Sequence, residues 1–213
     1  MALPMVHLET AYLAANELKP SDMSAYLLGA IAPDGVHMRS PYSGEMKQAS
    51  HYGLHGKTDQ SDSEVARNLL SLAEKGDYFL GYAVHLYTDL LWYRHVYLSG
   101  GGRRYRKPDG SRDSELYYAE TDKLDLWLYD VSPHRAGMWR LLEQARGKDT
   151  EVLSAAEAET WRDRTLLWYE RHRKRIELLP RPRKLTEEEI SEFCKMAAKR
   201  CTELFLNERK TLA

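Results

Sequence analysis

The chain of 213 residues is poor in the features that mark several function classes. It has two cysteines, Cys194 and Cys201, seven residues apart in one helical pattern. Seven residues rise about 10.5 Å along a helix, and a disulfide needs Cα atoms within about 7 Å, so these two cannot pair there. Both sit at apolar positions and read as buried, reduced thiols, which fits a cytosolic protein. No stretch approaches the roughly 18 apolar residues of a membrane span, so no stable membrane anchor is expected. The first residues show no basic start followed by an uninterrupted apolar run; no secretory signal is read, and the expected location is cytoplasmic. Charge of one sign is not in excess, since 31 basic and 32 acidic side chains leave a net charge of -1. That balance argues against coating nucleic acid or an anionic membrane by bulk charge. Gly-x-Ser-x-Gly, Gly-x4-Gly-Lys-Ser/Thr and a recognisable Ser-His-Asp arrangement are all missing.

Strand signals are scarce too: there is no sustained alternation and no Asn-Gly turn. With 43% hydrophobic and 30% charged residues, ordinary globular usage, the periodic segments predict an all-α fold in a single domain spanning 1–213. Helices are expected over 5–18, 21–31, 62–75, 77–98, about 112–130, 134–146, 154–178, and from a cap at Thr186 onward. The segment 77–98 is mostly apolar and reads as the central, buried helix. Residues 35–60, rich in Gly, Ser, His and Lys, carry no period and read as a long functional loop.

The eight histidines are unevenly placed, six of them within the first 95 residues. His85 and Asp89 stand at i and i+4 on the central helix, so they stack on one face and can reach one ion of borderline softness such as zinc. The flanks are almost wholly apolar, and an ionised carboxylate there costs several kcal/mol unless it is paired or metal-bound. His95, ten residues beyond His85, points roughly 80° away and would serve a second ion or simply face solvent. His7, Asp34, His37, His51 and His55 precede them. Each has a plain alternative: a satisfied core histidine for His7, a turn or cap residue for Asp34, and loop side chains for the rest.

Taken together the order is His7, Asp34-x-x-His37, His51-x-x-x-His55, then His85-x-x-x-Asp89-x5-His95. This resembles the zinc-dependent phospholipase C family, whose fold is shared with the fungal single-strand-specific nucleases. The short bacterial branch without signal peptides is the nearer likeness, in Gly-Ala-Ile-Ala-Pro-Asp34, Ser-His51, Gly81-Tyr-Ala-Val-His85 and Tyr118-Ala-Glu-Thr-Asp-Lys-Leu-Asp125. The likeness covers roughly residues 5–130 and implies an all-helical fold holding two, or three, zinc ions.

The resemblance implies His7, Asp34, His51, His85, Asp89 and His95 as metal ligands, with His55 the alternative to His51 and His37 a further candidate. It implies that Asp89 bridges two ions, that Asp34 is a ligand or a base orienting water, and that the substrate is a phosphate diester of phospholipid or nucleic acid. A non-catalytic helical metal-binding protein is the alternative from another class. Two departures stand out. The later His-x-x-x-acid of the secreted enzymes is missing, because His134 is followed at i+4 by Met138 and His172 by Ile176. Asp122 and Asp125 would substitute, or form a solvated helix face. A processed terminal amine ligates metal in those enzymes; here removal of Met1 would put an amine five residues before His7. Arg39 is the candidate phosphate contact near the site. The basic loop Arg103, Arg104, Arg106 and Lys107 and the aromatics Tyr117, Tyr118, Trp127 and Tyr129 are weaker substrate-facing candidates, read equally as solvated and core residues.

Overall fold

The periodic segments do form helices. A computed structural model describes residues 3–54, 61–98 and 104–211. In chain order, α1 spans Pro4–Leu18, α2 Met23–Gly29, a 3-10 segment Ala32–Met38, α3 Gly44–Ser50, α4 Asp62–Ala73 and α5 Asp77–Trp92, which runs into a π turn Tyr93–Tyr97. Then come α6 Ser114–Val131, α7 Arg135–Gln144, α8 Ala155–Glu177 and α9 Glu187–Thr211. Among the described residues there is no strand, only an isolated bridge between Arg106 and Arg112. No helix there is long and apolar enough to cross a membrane.

Side chains end these helices as the sequence signals direct. Ser61 with Glu64 and Ser154 with Glu157 form capping boxes on α4 and α8. At α9, Glu189 N donates to Thr186 Oγ1 while Thr186 N donates to the Glu189 carboxylate. The buried face of α9 carries Phe193, Cys194, Ala197, Cys201 and Phe205, and it lies along α1. Cys194 and Cys201 are free and buried. One continuous core joins α1 to α9, and α5 runs through it with 13 of its 16 residues buried, so it touches α1, α2, α4 and α9.

Two stretches differ from their sequence reading. The segment expected to be a loop over 35–60 holds most of the 3-10 segment and all of α3. Each is seven residues long, too short to show a helical period, though Ser43 does cap α3 by accepting from Met46 N at 3.2 Å. The helix expected over 77–98 leaves α geometry at Tyr93.

Helices α2 and α5 cross with their backbones in contact. A Cβ on Gly29 would lie 2.0 Å from the Tyr78 carbonyl oxygen, and one on Gly81 would lie 1.9 Å from the Tyr26 carbonyl oxygen. Each helix thus rests its backbone directly on the other, which no residue larger than glycine permits. Gly81→Ala forces the helices apart, and overpacking of this kind costs about 2–3 kcal/mol. We expect the unfolding midpoint to fall by about 4–12 °C for a chain of this size; a thermal melt indistinguishable from wild type would contradict the crossing.

Candidate metal centre

Five side chains scattered between positions 7 and 89 meet at one place. α1 brings His7, the 3-10 segment brings Asp34, the residue capping the C-terminus of α3 is His51, and one face of α5 carries His85 and Asp89. All five are buried, His85 completely and Asp89 least so at 6% exposure. The backbone around them is tied down. Asp125, on α6, sits at the N-terminus of α1, where its carboxylate faces Met5 N at 3.5 Å and Val6 N at 3.3 Å and accepts from Tyr169 Oη at 2.6 Å. An anion there suits the helix dipole and fixes the turn that carries His7. Tyr82 Oη, on α5, donates to Ser50 O at 2.6 Å, which fixes the end of α3 next to His51.

Hydrogen bonding sets which ring nitrogens are available. His85 Nδ1 lies 2.8 Å from the Ala30 carbonyl oxygen, an acceptor only, so Nδ1 carries the proton and Nε2 a lone pair. His51 Nδ1 likewise donates to Lys47 O at 3.0 Å, beside Ser50 Oγ at 2.9 Å, leaving Nε2 to face the carboxylates. His85 Nε2 and both ring nitrogens of His7 are buried yet find no hydrogen-bond partner among the described residues. The two rings stack with centroids 3.7 Å apart. Burial first, then the neighbouring His7, pushes the His85 pKa well below the usual imidazole value. Burial also lowers that of His51, against the opposing pull of Asp89 and Asp34. Both rings are therefore neutral ligands at pH 7.

The separations suit an ion better than they suit hydrogen bonds. His7 Nε2 is 3.5 Å from Asp89 Oδ1, His51 Nε2 is 3.5 Å from Asp89 Oδ2, and His51 Nε2 is 3.7 Å from Asp34 Oδ1. Direct N–H···O bonds run about 2.7–3.2 Å. Two ligands held about 2.0–2.1 Å from a tetrahedral ion lie about 3.3 Å apart. Two overlapping groups result, His7 with His85 and Asp89, and Asp34 with His51 and His85, each with its ligand atoms within 4.8 Å of one another. Either can hold a metal ion. His85 has one free lone pair, so it completes one of them at a time.

A cation already stands at the edge. Lys47 of α3 is buried, with Nζ 3.3 Å from Asp34 Oδ1 and 3.3 Å from His37 Nε2. Burial alone would raise the Asp34 pKa, but Lys47 and a hydrogen bond from His37 hold it well below the usual carboxylate range. Asp34 is thus ionised. Sequence reading missed Lys47: it stands four residues before His51, but a lysine in a segment without period cannot be told from a solvated one.

Several candidates lie elsewhere. His95 is exposed on the π turn, so the roughly 80° offset from His85 carries it away from the other ligands. Asp125 is the anchor of α1 described above. Asp122 pairs with Arg175 at 3.3 Å. Arg39 is clasped by the Glu157 carboxylate and by Val152 O at 2.8 Å, tying the end of the 3-10 segment to α8 rather than awaiting phosphate. His37 stands one layer out, its Nε2 3.5 Å from Asp34 Oδ1. Tyr117 is core, accepting from Trp92 Nε1, and Tyr129 stacks on Tyr169. Tyr118 is exposed and Trp127 packs against the core. Arg104 pairs with Glu189 at 2.7 Å and Arg106 with Gly110 O. His55, Arg103 and the first two residues lie outside the described residues.

No family model, curated protein or solved structure matches the chain.

Burial pushes the Asp125 pKa up to about 7, although Tyr169, Met5 and Val6 favour its anion. The unfolded value is near 4, so the native state binds more protons between those limits. The contribution of this residue to stability is whole below about pH 4 and is lost as pH rises through 7. We expect the stability difference between wild type and Asp125→Asn, from urea unfolding of metal-free protein, to shrink over that range by up to on the order of 4 kcal/mol. A difference independent of pH would refute the assignment.

Proposed function

We propose that this protein is a zinc-dependent phosphodiester hydrolase of the phospholipase C type. The observation that carries the reading is the convergence of His7, Asp34, His51, His85 and Asp89 in one buried cluster, with orphaned imidazole nitrogens and spacings suited to an ion. Three imidazoles and two carboxylates make a nitrogen and oxygen donor set of the kind that takes zinc.

Asp34, His51 and His85, with Asp89 beside them, would hold one ion; Asp89 Oδ1 and His7 would face a second. Bound zinc supplies electrophilic activation of a phosphoryl oxygen and of water. The chain's own groups do the rest. Ala30 O and Lys47 O lock the His85 and His51 tautomers, so no ligand proton has to leave before metal binds. Lys47 keeps Asp34 ionised at neutral pH, so Asp34 serves as a ligand or takes a proton from water at its carboxylate. No serine or cysteine nucleophile is needed, in keeping with the missing nucleophile motifs and with Cys194 and Cys201 buried in the core.

Elemental analysis of the purified protein and hydrolysis of bis(p-nitrophenyl) phosphate test this together. We expect about equimolar zinc or more, activity abolished by chelator and restored by zinc, and Asp89→Asn losing at least about two orders of magnitude in rate, since even residues behind the ligands cost about 10–100-fold. Phosphatidylcholine against single-stranded DNA then separates the lipid from the nucleic-acid substrate. Zinc without turnover on any of the three substrates would leave a metal-binding protein, and no zinc at all would overturn the reading.

A further inference from the structure

Beside the metal centre a cavity of about 370 Å³ opens between the 3-10 segment and α8. Asp34 and His37 line it on one side, and Trp161, Arg164 and Arg175 of α8 line it on the other. The Trp161 ring centroid is 6.0 Å from that of His37, so the α8 wall stands next to the ligands.

Two donors on that wall are unused. Trp161 is 6% exposed, and its indole N–H is buried without an acceptor among the described residues. A buried donor left unmade is costly, which is a standing incentive to bind an acceptor. Arg164 lies over the Trp161 ring with Cζ 4.6 Å from its centroid, yet no carboxylate pairs with it among the described residues. Most neighbouring arginines do differently: Arg162 pairs with Asp163, Arg173 with Asp130 and Arg175 with Asp122. With Asp122 paired to Arg175 and Asp34 to Lys47, the exposed Arg164 guanidinium is the remaining cation on the cavity. Stacking on an indole holds the planar guanidinium in place without consuming its donors.

We propose that this cavity is a phosphate-oxyanion subsite, in which Arg164 and the Trp161 indole N–H bind a non-reacting oxygen of a phosphate ester presented to the metal centre. The proposal rests on the hydrolase reading for its reaction, and on the cavity alone for its binding. Arg164 is a substrate-positioning residue. It replaces Arg39 as the phosphate contact. A guanidinium bond to a charged oxygen contributes about 1.5–3 kcal/mol, which corresponds to about 10–100-fold in affinity.

The test uses the full chain as purified, with inorganic phosphate as probe, titrated by calorimetry and by tryptophan fluorescence. Arg164→Gln should weaken phosphate binding at least about tenfold with zinc content and unfolding midpoint unchanged, Arg164→Lys should recover part of the loss, and Trp161→Phe, which keeps a ring but removes the N–H, should weaken it independently. In turnover, Arg164→Gln should raise KM and spare kcat. Run on a dinucleotide and on a short-chain phosphatidylglycerol, the same variant identifies the source of the phosphate by which ester loses kcat/KM. Equal phosphate affinity in wild type, Arg164→Gln and Trp161→Phe overturns the subsite while leaving the metal centre standing. Protein that holds no zinc but still binds phosphate through Arg164 supports the subsite and overturns the hydrolase reading.

Discussion

The backbone contact between α2 and α5 governs the placement of the central ligand. Because Gly29 and Gly81 carry no side chain, the helices close until each backbone lies against the other. That closeness puts the Ala30 carbonyl, just past the end of α2, within 2.8 Å of His85 Nδ1, one turn along α5 from Gly81. One carbonyl at the end of a short helix thereby sets the tautomer of a completely buried imidazole and aims its lone pair into the cluster. A helix crossing made wider by a single methyl group would lengthen that bond, and the ring would lose the restraint that makes it a ligand. Stability and site geometry therefore rest on the same pair of glycines.

Charge is the second constraint. Asp34 and Asp89 lie in a core built from Leu, Val, Tyr and Ala side chains, where isolated carboxylates cost several kcal/mol each. Lys47 offsets one of them directly. His51 and His85, kept neutral by burial, offer dipoles rather than charge, and the Lys47 ammonium stands beside them. Carboxylates and imidazole lone pairs gathered in so apolar a core are a donor set that a cation would suit.

The all-α class and nearly every long helix were legible, because amphipathic periods of ten or more residues and capping pairs such as Thr186 and Glu189 are local signals. His85 and Asp89 were legible for the same reason, an i, i+4 pair on an apolar helix. His7, Asp34 and His51 were readable only as an order along the chain, and their convergence depends on contacts such as Tyr82 with Ser50 and Asp125 with the start of α1 that no periodicity reveals. His95 fits the motif spacing, but its place on the π turn leaves it in solvent, the alternative that its roughly 80° offset from His85 allowed. Arg39 misled because proximity in sequence to Asp34 says nothing of Glu157, 118 residues away, which holds it. Lys47, Trp161 and Arg164 carried no signal, since a lysine in an aperiodic segment and an aromatic beside an arginine on a polar helix are common without function.

The number of ions follows from the ligands that reach the cluster. Two or three were expected, with His95 serving a second ion and Asp122 and Asp125 standing in for the missing later acidic ligand. His95 faces water, Asp125 holds α1, and Asp122 is taken by Arg175, so among the described residues a third ion has no ligand set. Of the five remaining, Asp34, His51 and His85 form one group of three. His7, His85 and Asp89 form the other, which shares His85 with the first. Each group supplies three ligands, so an ion held by either would have a fourth position left for water.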